Sequence, residues 1–131
     1  MKIFETHAHY DDGRFDADRA ELLNSFKQNG IDYVVNIGTN LETAQKCLEL
    51  GEKYDFIYCA LGFYPEDVGT ISEDDILKLE DLCKSSKRVV AIGEIGLDYH
   101  ENEVSREMQK IWFERPLRLA EKLDLPVAIH M

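Results

Sequence analysis

Five apolar runs recur along the chain: Lys2 to Thr6, Ile31 to Ile37, Phe56 to Leu61, Arg88 to Gly93 and Pro126 to Met131. They are short, and the fourth, from Val89, is a continuous β-branched run with no alternation, the pattern of a strand covered on both faces in a parallel sheet. The segments between them have helical spacing. From Asp16, the positions Ala17, Ala20, Leu22, Leu23 and Phe26 share one helix face, and Asn29-Gly30 closes it. A second helix is predicted from Asn40 to Tyr54, with Leu41, Ala44, Leu48 and Cys47 inward. Ser72 caps a third, running to about Ser85, in which Ile76, Leu79, Leu82 and Cys83 face the sheet and Glu73 to Asp75 suit the positive end. A long amphipathic helix is predicted from about Glu103 to Leu123, with a kink or break at Pro116, which cannot donate to Trp112.

Strand followed by helix, four times over and ending in a fifth strand, predicts an α/β fold with a parallel sheet in one domain. A (β/α)₈ barrel takes about 250 residues, so the 131 residues of this chain hold a little over half of one. In such architectures chemistry gathers where strands end. His7 and His9 close the first strand, Tyr64 follows the third, Glu94 stands between Gly93 and Gly96 at the end of the fourth, and His130 ends the fifth. His7 and His9 are two apart, so both rings leave one face of the strand, about 6 to 7 Å apart along it, within reach of one divalent ion. A carboxylate placed like Glu94 is expected to be buried or paired with metal, because an unpaired buried charge is costly. His130 is a third candidate ligand. His100 reads as a solvated loop histidine, and Asp98 and Tyr99 either line the same mouth or form an ordinary turn. Asp11, Asp12 and the acids from Glu73 to Asp81 read as loop and solvated helix face.

Composition changes the picture in three places. Hydrophobic residues at 44% and charged residues at 31% describe a folded soluble chain. No apolar run reaches the roughly 18 residues of a membrane span, and no signal-peptide pattern precedes the first strand, so a cytoplasmic location is expected. Cys47, Cys59 and Cys83 are widely spaced and lack a C-x-x-C pattern, which predicts buried reduced thiols. The net charge of −11 opposes a broad basic nucleic-acid surface, so a polyanionic substrate would need bound cations to reverse the local field.

Four segments carry a family resemblance: Thr6-His7-Ala8-His9, Ala60-Leu61-Gly62-Phe63-Tyr64-Pro65, Ile92-Gly93-Glu94-Ile95-Gly96-Leu97-Asp98-Tyr99, and Leu119-Ala120 with Leu125-Pro126-Val127-Ala128-Ile129-His130. In order and interval they resemble the TatD family of metal-dependent deoxyribonucleases. The Gly-Glu-Ile-Gly-Leu-Asp-Tyr stretch is the specific part, while His-x-His is shared with many amidohydrolase-type barrels. The resemblance implies a TIM-type barrel, two divalent cations, and hydrolysis of phosphodiester bonds in DNA, often as a 3′ to 5′ exonuclease. Carried over by position, His7 and His9 hold one ion, Glu94 bridges, and His130 holds the second. Zinc, manganese, iron or magnesium would serve, magnesium being the least natural partner of imidazole.

Three features depart from the family pattern. Tyr64 stands where histidine usually precedes the proline, and Pro116 replaces a helix former. At Met131 the family continues through an arginine-containing turn, a further histidine and a late aspartate, so the chain is expected to be the N-terminal portion of the barrel, with impaired DNA cleavage. Two other readings remain open: another metal-dependent hydrolase of the barrel type acting on amides or esters, and a non-catalytic half-barrel that assembles through open edges.

Overall fold

A computed structural model describes residues 1–101 and 103–131. Five strands, β1 (Ile3–Ala8), β2 (Ile31–Ile37), β3 (Ile57–Leu61), β4 (Val89–Gly96) and β5 (Val127–His130), form one sheet in the order β1-β2-β3-β4-β5. Every pairing is parallel, so each strand returns through a crossover. Four α-helices, α1 (Arg19–Ser25), α2 (Leu41–Lys53), α3 (Glu73–Ser85) and α4 (Arg106–Leu123), complete the expected α/β half-barrel. No helix among the described residues is long and apolar enough to cross a membrane.

The two faces of the sheet differ. Cys59, Leu61, Val89, Ile92 and Ile95 pack with Leu48, Leu79, Cys83 and Leu119 of the helices into the main core. A second cluster joins Val34 and Ile57 to Leu23, Phe26 and Leu50. The opposite, concave face carries Val35, Ile37 and Ala60 against Tyr58, Val90 and Ala91, all of them strand residues. Phe4, Tyr33 and Tyr58 extend it as a ladder of rings with centroids 5.8 Å and 6.2 Å apart.

The caps act as their side chains dictate. Asn40 accepts from the Thr43 amide at 2.9 Å while Thr43 Oγ1 accepts from the Asn40 amide at 3.0 Å, starting α2. The Asp75 carboxylate accepts from the Ser72 amide at 2.9 Å at the start of α3. Other expectations need correction. The first helix starts at Arg19 and not Asp16, because Gly13 to Phe15 forms a separate 3₁₀ turn. The fourth begins at Arg106, capped by Ser105. It runs unbroken through Pro116, whose ring is fully buried in the core. Burial of that ring offsets the missing donor. Glu80 is buried, not solvated, and its carboxylate holds Lys84 at 2.6 Å and Lys122 at 2.7 Å, joining α3 to α4.

Candidate metal centre

β4 extends two residues past Glu94, to Gly96, so Glu94 lies within a strand and not at its end. The ladder is irregular there. Ile92 pairs with Val127 and Ile95 with Ile129, three residues opposite two, which is a bulge at Gly93 and Glu94. Strict alternation would put Glu94 on the helix-facing side with Ile92; the extra residue turns it to the concave side. β1 has a matching irregularity, with Glu5 opposite Val34 and Ala8 opposite Asn36, so the extra residue falls at Thr6 and His7. Both disturbances sit where the candidate ligands emerge.

Close backbone approach makes room for this. A Cβ on Gly62 would lie 2.8 Å from the Gly93 carbonyl carbon and 2.8 Å from Ile95 Cγ2. With only hydrogen there, the Gly93–Glu94 segment leans across the end of β3, and the Glu94 amide donates to the Gly38 carbonyl at 3.1 Å.

Glu94 is 7% exposed, and its two oxygens serve different partners. Oε2 lies 3.5 Å from His7 Nε2 and 3.7 Å from His9 Nε2. Oε1 lies 2.9 Å from His130 Nδ1. His130 Nε2 in turn meets Asp98 Oδ2 at 2.8 Å, and the Tyr64 hydroxyl donates to that same oxygen at 3.1 Å. The sheet thus curls far enough for side chains of β1 and β4, separated by two strands in the order, to touch.

The loop after His9 is fastened at several points. Arg19 donates to the carbonyls of Tyr10 at 2.6 Å and Asp12 at 2.9 Å, and to the Asp16 carboxylate at 2.7 Å. Asn36 accepts from the Tyr10 amide at 2.6 Å and donates to Asp11 at 2.8 Å. Asp11 lies in a turn, as expected, but is buried as the acceptor of this network.

The donor set fits a divalent cation. His9 Nδ1 contacts the Ile37 carbonyl at 3.0 Å, and a carbonyl only accepts, so Nδ1 is the donor and Nε2 is left to face the Glu94 carboxylate. In the tautomer that binds metal, Nε2 presents a lone pair to a carboxylate oxygen that is also an acceptor. A cation between them satisfies both. Ligand atoms about 2.0–2.2 Å from one ion stand roughly 3.4 Å apart in tetrahedral geometry, close to the separations at His7 and His9. Ligand atoms of His7, His9 and Glu94 all lie within 4.8 Å of one another. His130 belongs to a neighbouring group on the far side of the carboxylate.

Electrostatics follows from these contacts. The His100 amide, then His130 and Tyr64, hold the Asp98 carboxyl down at about 2. Burial, reinforced by the Asp98 hydrogen bond, raises the Tyr64 phenol to about 12. Burial works against a charged His130 ring, but its bonds to Asp98 and Glu94 outweigh it and raise its pKa. Sequence left Asp98 open between site and turn; the fold puts it on His130. Tyr64, at a departure from the family pattern, joins the same group. His100 lies outside these contacts with the carboxylate of Glu94, although its amide serves Asp98 at 2.9 Å.

Comparison with known proteins identifies the family of the chain. The family model described as TatD related DNase matches residues 4–131. A Bacillus subtilis protein described as the uncharacterized metal-dependent hydrolase YabD is 37% identical over 98% of this chain and 50% of its own length. A Cronobacter sakazakii protein described as the 3′-5′ ssDNA/RNA exonuclease TatD is 31% identical over 98% of this chain and 48% of its own. Among solved structures, the TatD homolog YjjV from Escherichia coli K12 superposes with a TM-score of 0.89 at 32% identity, over 98% of this chain and 50% of that one. A TatD-family hydrolase from Entamoeba histolytica, 24% identical, shares the fold with a TM-score of 0.91, over 100% of this chain and 50% of that one. The chain therefore spans about half the length of the relatives it matches. It belongs to the TatD-related DNase family of metal-dependent hydrolases.

Proposed function

We propose that this chain supplies metal-binding residues of a hydrolase that cleaves phosphodiester bonds in DNA, working with two divalent cations. His7 and His9 would hold the first, Glu94 would serve both, and His130 would hold the second. The observation that carries this reading is the division of one buried carboxylate, Oε2 toward His7 and His9 and Oε1 toward His130. The printed description of the Cronobacter sakazakii relative, a 3′-5′ exonuclease on single-stranded DNA and RNA, supports a nucleic-acid substrate.

Divalent cations at such a site supply charge that stabilises a phosphoryl transition state and acidifies water. The chain's own residues do the rest. Ile37 fixes the His9 ring through Nδ1, so that Nε2 faces the site. Asp98, itself steadied by Tyr64, orients His130. Cations at the strand ends also offset the net charge of −11 where a phosphate would approach. The imidazole-rich donor set suits zinc or manganese better than magnesium. The reading includes a cytoplasmic location, which three cysteines buried as free thiols support.

The test incubates residues 1–131 with Mn²⁺ and a fluorescent single-stranded DNA oligonucleotide carrying non-hydrolysable linkages, and follows anisotropy. Mn²⁺-dependent binding that disappears in Glu94→Ala is expected. Cleavage of an ordinary oligonucleotide by these residues alone is expected to be little or none, because the chain spans about half the length of the relatives it matches. Turnover of a cyclic amide or an aryl ester, without Mn²⁺-dependent DNA binding, would transfer the protein to another class of hydrolase.

A further inference from the structure

Gln109 lies in the first turns of α4 and is 1% exposed. Its amide makes its two shortest bonds to the main chain of one residue outside that helix, Asp98. Oε1 accepts from the Asp98 amide at 2.7 Å, and Nε2 donates to the Asp98 carbonyl at 2.7 Å. The two bonds reproduce the exchange between paired strand residues, so the side chain grips Asp98 as a neighbouring strand would. The remaining donor capacity goes to the Val104 carbonyl at 3.0 Å and to Glu66 Oε1 at 3.2 Å. Glu66 belongs to the loop that carries Tyr64, and its other oxygen accepts from the Glu103 amide at 3.2 Å. One buried amide thus ties together the loops that follow β3 and β4.

What lies beyond Asp98 gives this grip its consequence. The Asp98 carboxylate meets His130, His130 meets Glu94 Oε1, and Glu94 Oε2 faces His7 and His9. The contacts run without interruption from α4 to β1. We infer that Gln109 is a positioning residue: by fixing the Asp98 main chain it holds the Asp98 carboxylate on His130, and through that ring sets the direction of Glu94. The effect on metal rests on the reading of the site as a cation centre; the effect on His130 does not. A purely structural glutamine would contribute stability and leave the His130 ring unaffected when replaced.

Gln109→Met keeps the length of the side chain and removes both bonds to Asp98. In the metal-free protein, the ring-nitrogen NMR resonances of His130 are expected to move, and Zn²⁺ affinity by calorimetry to fall about 10- to 100-fold. Leu79→Ala, a cavity variant in α3 away from these contacts, lowers stability as a control and is expected to leave both readouts in place. His130 resonances unchanged in folded Gln109→Met overturn the inference. Should that variant fail to fold, hydrogen exchange in the unaltered chain decides: the Asp98 amide is expected to exchange about 100-fold or more slower than an open loop amide, and exchange at the open rate overturns the inference. If the unaltered chain binds no Zn²⁺, the metal reading fails, and the His130 resonances still decide the role of Gln109.

Discussion

Gly93→Ala probes the junction on which the candidate centre is built. A Cβ at Gly93 would stand 2.6 Å from Ala128 Cβ and 2.7 Å from the Ala128 carbonyl oxygen, both on β5. Carbon atoms pack at no less than about 3.5 Å, so β4 and β5 must part locally by about 0.9 Å. Neither obstacle is the tip of a flexible side chain, so the backbone takes the strain, at about 1–3 kcal/mol. Glu94 is the next residue and moves with it, away from His130 on β5. Its amide bond to Gly38 and its carboxylate cannot both keep their places. Zn²⁺ affinity should therefore drop tenfold or more, on the order of the loss seen when support of a ligand is removed. Urea unfolding gives the stability change and calorimetry the affinity. A folded Gly93→Ala protein that keeps its full Zn²⁺ affinity would refute the claim that this close approach aims Glu94.

Burial pushes the Cys47 thiol up and raises Cys59 and Cys83 to about 12. Thiolate is then scarce at about pH 8, so a thiol reagent should modify none of the three at an appreciable rate until denaturant is added. Removing the α2 cap with Asn40→Ala should cost about 1 kcal/mol, read from the urea midpoint. Among the described residues β1 and β5 are the edges of the sheet, and Phe4 and Ile129 on them are 58% and 51% exposed. Sedimentation velocity should show self-association that Phe4→Lys with Ile129→Lys reduces; a concentration-independent monomer would contradict this.

The elements most legible in sequence were those with local punctuation. β2 has the bounds its apolar run predicts, and α2 and α3 start after Asn40 and Ser72 because capping is chemistry among neighbours along the chain. β4 is longer than expected because Gly93 reads as a stop in sequence, whereas in the sheet it marks a bulge enforced by Ala128 and Gly62. Pro116 reads as a break, yet the core holds α4 together around it. The family motifs pointed to His7, His9, Glu94 and His130, which the fold brings to one carboxylate. The partners of His130 depend on residues 32 and 66 positions away, beyond any local pattern. Gln109 did leave a trace. It shares a helical face with Trp112, Phe113, Pro116 and Leu119, a polar residue on an apolar stripe, which calls for buried partners.

The curl that brings His7 of β1 onto Glu94 of β4 ties strands that share no ladder. A cation captured there would act as a clasp across the open arc of the half-barrel, and unrolling the arc would require letting it go. Uptake and folding are then one linked equilibrium: at a free concentration a hundred times its dissociation constant, the ion adds about 2.7 kcal/mol. Resistance to unfolding should accordingly climb with the logarithm of metal concentration, which makes the melting temperature a gauge of the sheet's curvature.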